Sequence, residues 1–133
     1  MLIYLDSCIV IYLIEQTPGF GPRAANRIAA ALAAGDKLLV SDLTRLECRA
    51  KPLAAGDAAL LGDYDRFFTS VVEPAVLLTT AVCDRATLIR GQYRFKTPDS
   101  LHLAAAVEAG CQVFLTNDTR LSRFPGLTVE VLP

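Results

Sequence analysis

The sequence predicts an α/β fold, a three-layer α/β/α sandwich in which helices cover both faces of a mostly parallel central sheet. Short apolar runs of strand length alternate with longer stretches of helical character. Proline, glycine and capping residues separate these runs, and the chain contains no linker, repeat or low-complexity tract. The length of 133 residues and the hydrophobic fraction of 53% suit one packed core, so we expect a single domain over residues 1–133.

The first elements are a strand and two helices. Leu2–Leu5 is short and apolar and is predicted to be a buried strand. The following apolar run predicts a helix over Cys8–Gln16, which a Thr-Pro-Gly sequence ends. Pro22 opens a second helix, Arg23–Ala34, and Gly35 stops it.

The middle of the chain is predicted to add one more strand and two helices. Lys37–Val40 is a second buried strand, and either Ser41 or Asp42 can cap the helix that follows. This third helix is expected to stop before Pro52, because proline disfavours helical geometry in the residue before it. A fourth helix is predicted over Asp57–Thr69.

The last third of the chain is predicted to contain three strands and two helices. Val71–Leu78 is the third strand, with an edge position or an irregular start because it contains a proline. Two helices follow, Thr80–Tyr93 and Pro98–Ala109, the second of them closed by a glycine. Val113–Thr116 is a buried strand, whereas the alternating pattern of Leu127–Val131 indicates a half-exposed edge strand.

Composition and charge exclude several classes of protein. No apolar run approaches the roughly 18 residues needed to cross a bilayer. The start of the chain has no basic region and reaches Asp6 at once, so we expect no signal peptide and a cytoplasmic location. The net charge of −1 means that nucleic-acid binding would depend on local basic patches or bound cations. Widely spaced cysteines predict buried free thiols rather than a zinc or redox site: Cys8, Cys48, Cys83 and Cys111.

Four acidic residues fall where a parallel sheet gathers its ligands. Asp6 directly follows the first strand, and Asp118 follows the strand Val113–Thr116. The carboxyl ends of parallel strands meet at one edge of a sheet, where ligands bind. Asp99 lies in the first turn of the sixth helix, where the helix dipole favours an acid, and Glu47 lies less than two turns into the third. We therefore expect the four carboxylates to converge.

Such convergence predicts a metal site. Four uncompensated negative charges in one place would cost several kcal/mol, roughly, through repulsion and partial desolvation. Mg²⁺ prefers carboxylate and water oxygens, and a metal held in this way can activate water to hydrolyse a phosphodiester. Each acid alone also has an ordinary explanation. Asp6 and Asp118 could be turn or capping residues, Asp99 a first-turn helix acid and Glu47 a solvated helix residue.

Four segments around these acids resemble one known family. They are IYLDS at residues 3–7, SDLTRLE at 41–47, TPDSLHLAAA at 97–106 and LTND at 115–118. In this order, and over essentially the whole chain, they resemble the PIN-domain family, in particular the VapC-type toxins of toxin–antitoxin pairs. The resemblance implies a PIN-like fold and a Mg²⁺- or Mn²⁺-dependent endoribonuclease that cuts tRNA or rRNA and blocks translation. It also implies a small cognate antitoxin as partner, and a homodimer.

The resemblance also assigns roles to individual residues. It implies that Asp6 and Asp99 are the central metal ligands and the core of the catalytic site. Glu47 and Asp118 would complete this site, partly through water. Supporting hydrogen bonds would come from side chains that orient the ligands: Ser7, Thr116 and Asn117. On this basis, Asp6→Ala and Asp99→Ala are expected to lose nuclease activity, to keep the fold and to be slightly more stable without metal.

A histidine and several basic residues complete the list of candidates. His102 is predicted to be a helix residue that makes one hydrogen bond near the core, because a metal that activates its own water needs no histidine base. Basic residues beside the acidic motifs are candidate RNA contacts, although a solvated surface or antitoxin contacts explain them equally well. They are Arg45, Arg49, Arg94, Lys96 and Arg120.

Other functions compete with this interpretation. A phosphatase with Asp6 as nucleophile would need a second acid two residues later, where this chain has Cys8. A receiver domain would need a late lysine, but Lys96 is the last one. A catalytically silent PIN-like RNA- or protein-binding module remains the alternative. The presence of all four acids counts against it, because a binding module does not need a repulsive cluster.

Overall fold

The computed structural model describes residues Met1–Pro133 as six helices around one four-stranded sheet. The strands are β1 (Leu2–Leu5), β2 (Lys37–Leu39), β3 (Val113–Thr116) and β4 (Thr128–Val131). The helices are α1 (Ser7–Ile14), α2 (Phe20–Ala33), α3 (Asp42–Ala54), α4 (Ala58–Ser70), α5 (Thr80–Tyr93) and α6 (Thr97–Glu108), with a short 3₁₀ helix over Thr119–Arg123. None of the helices is both long enough and apolar enough to cross a bilayer.

The sheet is entirely parallel, with the strand order β2-β1-β3-β4. The chain therefore leaves β1 toward β2 on one side and later returns to β3 on the other side. This reversal creates a crevice beyond the carboxyl ends of β1 and β3, where α/β sheets bind ligands. The predicted parallel α/β sheet is confirmed, and so is the edge strand near the end of the chain.

Two separate cores lie on opposite faces of the sheet. In β1, Ile3 and Leu5 belong to a core that includes buried residues of α1, α2, α3 and α4. Tyr4, between them, points to the other face and belongs to a core built mainly by α5, α6 and β3. The alternation within a single strand thus produces the predicted three layers.

The predicted strand over Val71–Leu78 is wrong. This segment runs beside β2 but forms only one isolated parallel bridge, between Ser41 and Val76. Val76 N donates to Val40 O at 2.9 Å, and the next donor in a regular ladder, two residues earlier, would be Pro74, which has no N–H. Glu73 N donates to Leu38 O instead, so the period of two is broken.

The third helix also differs from the prediction. It continues through Pro52 and ends at Ala54 instead of stopping before the proline. Pro52 removes one intrahelical hydrogen bond, but it lies in the last turn and its side chain is buried. Burial of the ring offsets the lost bond, so the helix tolerates the proline.

Smaller differences concern helix ends and one cysteine. Helix α1 begins at Ser7 because Asp6 caps it, and α2 begins at Phe20, after Gly19 with φ +78°. All four cysteines are free, as predicted. Burial raises the pKa of the Cys8 and Cys48 thiols to about 12, which keeps both unreactive. Cys83, however, is exposed rather than buried.

Candidate active site

Asp6 is held rigidly at the carboxyl end of β1. It caps α1: its Oδ1 accepts a hydrogen bond from Ser7 N at 2.9 Å. Its Oδ2 accepts from Thr116 Oγ1 at 2.7 Å, at the end of the neighbouring strand β3. Asp6 is only 9% exposed. Both oxygens therefore have a fixed direction at the crevice between β1 and β3.

Asp99 meets two other acids at this edge. It lies in the first turn of α6, directly after Pro98 at the helix start. Burial, followed by the negative charges of Asp6 and Asp118, raises the pKa of the Asp99 carboxyl above its ordinary value. Asp6 and Asp118 thus act on Asp99 through their charge, and Arg120 and His102 offset only part of this effect.

Asp118 is paired with a neighbouring arginine. It caps the 3₁₀ helix by accepting from Arg120 N at 3.0 Å. The Arg120 guanidinium also reaches both carboxylate oxygens, with Nη2 2.5 Å from Oδ2. This bonding lowers the pKa of Asp118, although Arg120 remains exposed. The acidic edge therefore carries the exposed positive charge of Arg120.

Glu47 lies on the other side of Asp6 and uses one oxygen for two hydrogen bonds. Its Oε1 accepts from Ser7 Oγ at 2.8 Å and lies 2.5 Å from His102 Nε2. Burial raises the pKa of Glu47, but the bonds from His102 and Ser7 outweigh it, and the pKa is lowered. Because Ser7 directly follows Asp6, this bond ties Glu47 to the fixed carboxylate.

His102 makes more contacts than the sequence predicted. It is 2% exposed, and its Nε2 reaches Glu47 and also lies 3.3 Å from Ser7 Oγ. Its Nδ1 lies 2.7 Å from the hydroxyl of Tyr4. The prediction of a single hydrogen bond near the core was therefore wrong. The sequence did offer one signal: His102 lies one helical turn after Asp99, within a run of otherwise apolar residues.

The predicted supporting residues divide into two groups. Ser7 and Thr116 bond directly to acids, and Thr116 Oγ1 also accepts from Asp118 N at 3.0 Å. Thr116 therefore joins two of the four acids. Asn117 contacts none of them; its Nδ2 donates to the hydroxyl of Tyr12 at 3.2 Å.

The candidate RNA contacts do not form one patch. Lys96 immediately precedes α6, and its charge helps to lower the pKa of Asp118. Arg45 lies over the ring of Phe68, and Arg49 lies 3.1 Å from Asp65. These two arginines line a groove between α3 and α4. Arg94 ends α5 in the left-handed conformation, with φ 60°. Of the five candidates, Arg120 and Lys96 are therefore the two whose charges act on Asp118.

An open cavity of about 360 Å³ adjoins the acidic edge. Its lining combines aromatic, amide, acidic and basic groups, including Tyr12, Asn117, Asp118 and Arg120. The cavity is thus polar on the side that faces the acids and can admit part of a polar ligand.

The donor set fits a hard divalent cation in its chemistry. All four acids offer oxygen ligands, and the repulsion at Asp99 is the electrostatic condition that a cation relieves. The side chains are not, however, gathered into a cluster of three or more metal-binding groups. Mg²⁺ commonly uses only one or two carboxylates together with water and substrate phosphate, so a closed protein cage is not required.

Solved structures with similar folds include several toxin–antitoxin complexes. A chain in the structure of VapBC2 from Rickettsia felis bound to a DNA fragment from their promoter gives a TM-score of 0.82, with 17% identity and all of both chains covered. DNA-bound VapBC from Salmonella typhimurium gives 0.73, with 20% identity and all of both chains covered. A toxin–antitoxin complex from Klebsiella pneumoniae gives 0.72, with 19% identity and 98% of both chains covered.

Sequence comparison agrees with the fold. No curated protein sequence matches the chain significantly. A family model described as PIN domain, however, matches residues 3–127, which include all four acids and nearly every element of the sheet and its helices. The chain belongs to the PIN domain family.

Proposed function

We propose that this protein is a Mg²⁺- or Mn²⁺-dependent endoribonuclease, with residues 1–133 as one nuclease domain that acts in the cytoplasm. The observation that carries the proposal is the position of Asp6, Asp99 and Asp118 at the topological switch point of the sheet, where burial and the other two acids raise the pKa of Asp99 despite the opposing charges of Arg120 and His102. A fold gains no stability from such a cluster, so a cationic ligand is its most direct explanation. Membership of the PIN domain family supports nuclease chemistry in general.

The acids differ in the roles proposed for them. Asp6 and Asp99 are the central ligands, since Asp6 is fixed at both oxygens and Asp99 keeps its charge unpaired. Glu47 and Asp118 complete the site, partly through water. When bound, the divalent cation supplies charge neutralisation at the scissile phosphate and a more acidic water. Ser7 and Thr116 orient the carboxylates, and Asn117 fixes the Tyr12 side of the cavity.

The substrate proposed is single-stranded or looped RNA, with tRNA and rRNA as candidates. Arg120 is exposed and already binds a carboxylate through its guanidinium, so it can bind a phosphate in the same way. Lys96 adds a second positive charge on the same side. Because Arg45 and Arg49 face α4 and Arg94 ends a helix, we assign these three at most peripheral phosphate contacts.

A protein partner is also proposed. Chains of similar fold occur in solved toxin–antitoxin complexes, so we propose that this protein is the toxin of such a pair, binds a small cognate antitoxin and forms a homodimer. Exposed leucines at Leu46, Leu53 and Leu88 leave apolar surface for these contacts. Co-expression with the adjacent reading frame is expected to yield a co-purifying small protein. Purification of this chain alone, at full yield and without toxicity, would count against the toxin assignment.

The nuclease proposal predicts metal-dependent cleavage. Purified protein free of antitoxin is expected to cut total cellular RNA into discrete fragments with Mg²⁺ or Mn²⁺, and to be inactive in EDTA, because the carboxylates cannot neutralise a phosphate by themselves. End-mapping of the fragments identifies the target. Activity that survives EDTA would exclude the metal-dependent mechanism.

A silent RNA- or protein-binding module is the second candidate. The pairing of Glu47 with His102 and of Asp118 with Arg120 favours it, because both carboxylates already have protein partners. This module predicts RNA or protein binding without cleavage under any metal condition. The same cleavage experiment therefore separates the two functions.

A further inference from the structure

A chain of buried polar groups runs from the interior of the protein to Glu47. The Tyr4 hydroxyl lies 2.8 Å from Ser41 Oγ and 2.7 Å from His102 Nδ1, within hydrogen-bond distance of both. On the far side of the ring, His102 Nε2 lies 2.5 Å from Glu47 Oε1. Tyr4, Ser41 and His102 are each at most 2% exposed, so solvent does not compete for these bonds.

The direction of the last bond follows from chemistry. An ionised carboxylate only accepts hydrogen bonds, so the Nε2 that faces Glu47 carries a proton. Because Nδ1 is held at the same time by the Tyr4 hydroxyl, the ring cannot turn without losing a buried hydrogen bond. The imidazole is therefore locked at both ends.

This lock has a consequence for Glu47. Ser7 and His102 both bind Oε1, whereas Oε2 makes no hydrogen bond with the protein. A free glutamate side chain samples many rotamers, and fixing it in one of them costs conformational entropy. With Oε1 held by two donors, this cost is met during folding, and Oε2 remains available to a ligand.

We propose that His102 is a positioning residue that orients Glu47 for binding a divalent cation, with Tyr4 and Ser41 holding the imidazole in place. This inference rests on the proposed function, since it concerns the same acidic site. It adds His102 to a site that so far consists of the four acids and the hydroxyl groups bonded to them. The groups that orient the site thus extend to Tyr4, in the core formed by α5, α6 and β3.

The test measures Mn²⁺ affinity directly, by the loss of the free-ion EPR signal, together with RNA cleavage. His102→Leu is expected to weaken Mn²⁺ binding about 10- to 100-fold, as does loss of other partners that orient metal ligands. His102→Gln keeps an N–H donor for Glu47 and should recover part of this loss. In a Glu47→Gln background, His102→Leu should have no further effect, because a residue that acts through Glu47 cannot act without it.

Controls separate positioning from stability. Tyr4→Phe removes the partner of Nδ1, together with the bond to Ser41 Oγ, but leaves His102 and its bond to Glu47 in place. It should weaken Mn²⁺ binding less than His102→Leu does, which keeps the test available if His102→Leu does not fold. Tyr64→Phe is the matched control, since Tyr64 is buried in the other core and its hydroxyl bonds Glu15 at 2.5 Å. It should lose stability without losing Mn²⁺ affinity.

The outcomes distinguish this inference from the proposed function. The positioning role is wrong, and the nuclease stands, in two cases in which the parent binds Mn²⁺ and cuts RNA. In the first, His102→Leu binds Mn²⁺ as tightly as the parent does. In the second, His102→Leu weakens Mn²⁺ binding by the same factor whether residue 47 is glutamate or glutamine. If the parent binds Mn²⁺ without cutting RNA, the nuclease fails and the affinity measurements still decide the role of His102. If the parent binds no Mn²⁺, both are overturned.

Discussion

Replacement of Asp99 by asparagine is expected to abolish RNA cleavage and, at the same time, to raise the melting temperature of the metal-free protein. The loss of a central ligand should cost several kcal/mol of transition-state stabilisation, and about 4 kcal/mol corresponds to roughly a thousandfold in rate. The gain in stability has the opposite sign because asparagine removes the charge that Asp6 and Asp118 repel. A gain on the order of 1 kcal/mol would raise the melting temperature by about 3 °C.

The pH dependence of this gain has a definite sign. The pKa of Asp99 is raised in the folded protein, so its ionised form destabilises the fold. This cost is absent below the ordinary pKa of an aspartate and is fully present above the raised one. The extra stability of Asp99→Asn should therefore be present at neutral pH and disappear below about pH 4. Thermal unfolding followed by circular dichroism across this range, in EDTA, measures it.

Asp84→Asn is the matched control for this experiment. Asp84 is exposed on α5 and undergoes the same chemical change away from the acidic edge. It should leave both cleavage and melting temperature unchanged. An Asp99→Asn protein that cuts RNA like the parent would show that Asp99 is not a ligand. If Asp99→Asn were less stable than the parent in EDTA, the Asp99 carboxylate would stabilise the fold instead of being repelled by its neighbours.

The parts of the fold that were predictable are those encoded by local pattern. The strand Val113–Thr116 is apolar up to its last residue and wholly buried, and Leu127–Val131 alternates as an edge strand does. Pro74 and Pro52 show where local signals fail. Pro74 prevents a regular strand because it stands at the position where the ladder needs an N–H donor. Pro52 is tolerated within α3 because its ring is buried. Both outcomes depend on neighbours that are distant in sequence.

The candidate site shows the same division. Asp6 and Asp118 were placed at one edge because they follow strands, and parallel topology brings strand ends together. The pairing of His102 with Tyr4 and Glu47 joins residues that lie 98 and 55 positions apart, so no local pattern contains it. The ion pair between Asp118 and Arg120 could not be predicted from the sequence either. Arg120 follows by two residues, but only the 3₁₀ turn brings its guanidinium onto the carboxylate.

Asp6 gives the second large effect, and here the choice of substitution matters. Asp6→Asn and Asp6→Ala should both reduce RNA cleavage about a thousandfold, because either change removes a charged central ligand. Their stabilities should differ. Asparagine caps a helix about as well as aspartate, whereas alanine loses the cap of α1, at a cost of about 0.5–2 kcal/mol.

The alanine variant also leaves the Thr116 hydroxyl, which is fully buried, without its acceptor on Asp6. An unsatisfied buried group costs a further 1–3 kcal/mol, roughly. Asp6→Ala should therefore be destabilised. This reverses the expectation from sequence that removal of the charge would slightly stabilise the protein, because capping and the Thr116 bond outweigh the relief of repulsion.

Asp57→Ala separates capping from catalysis. Asp57 caps α4 by accepting from Leu60 N at 3.0 Å and lies outside all four acidic motifs. Its replacement should cost about 1 kcal/mol in urea-induced unfolding and leave cleavage intact. Parent-like cleavage by Asp6→Asn would refute the ligand role of Asp6, and parent-like stability of Asp6→Ala would refute its structural role. Loss of cleavage in both Asp6 variants, with loss of stability only in Asp6→Ala, would establish that one carboxylate both starts α1 and serves the site.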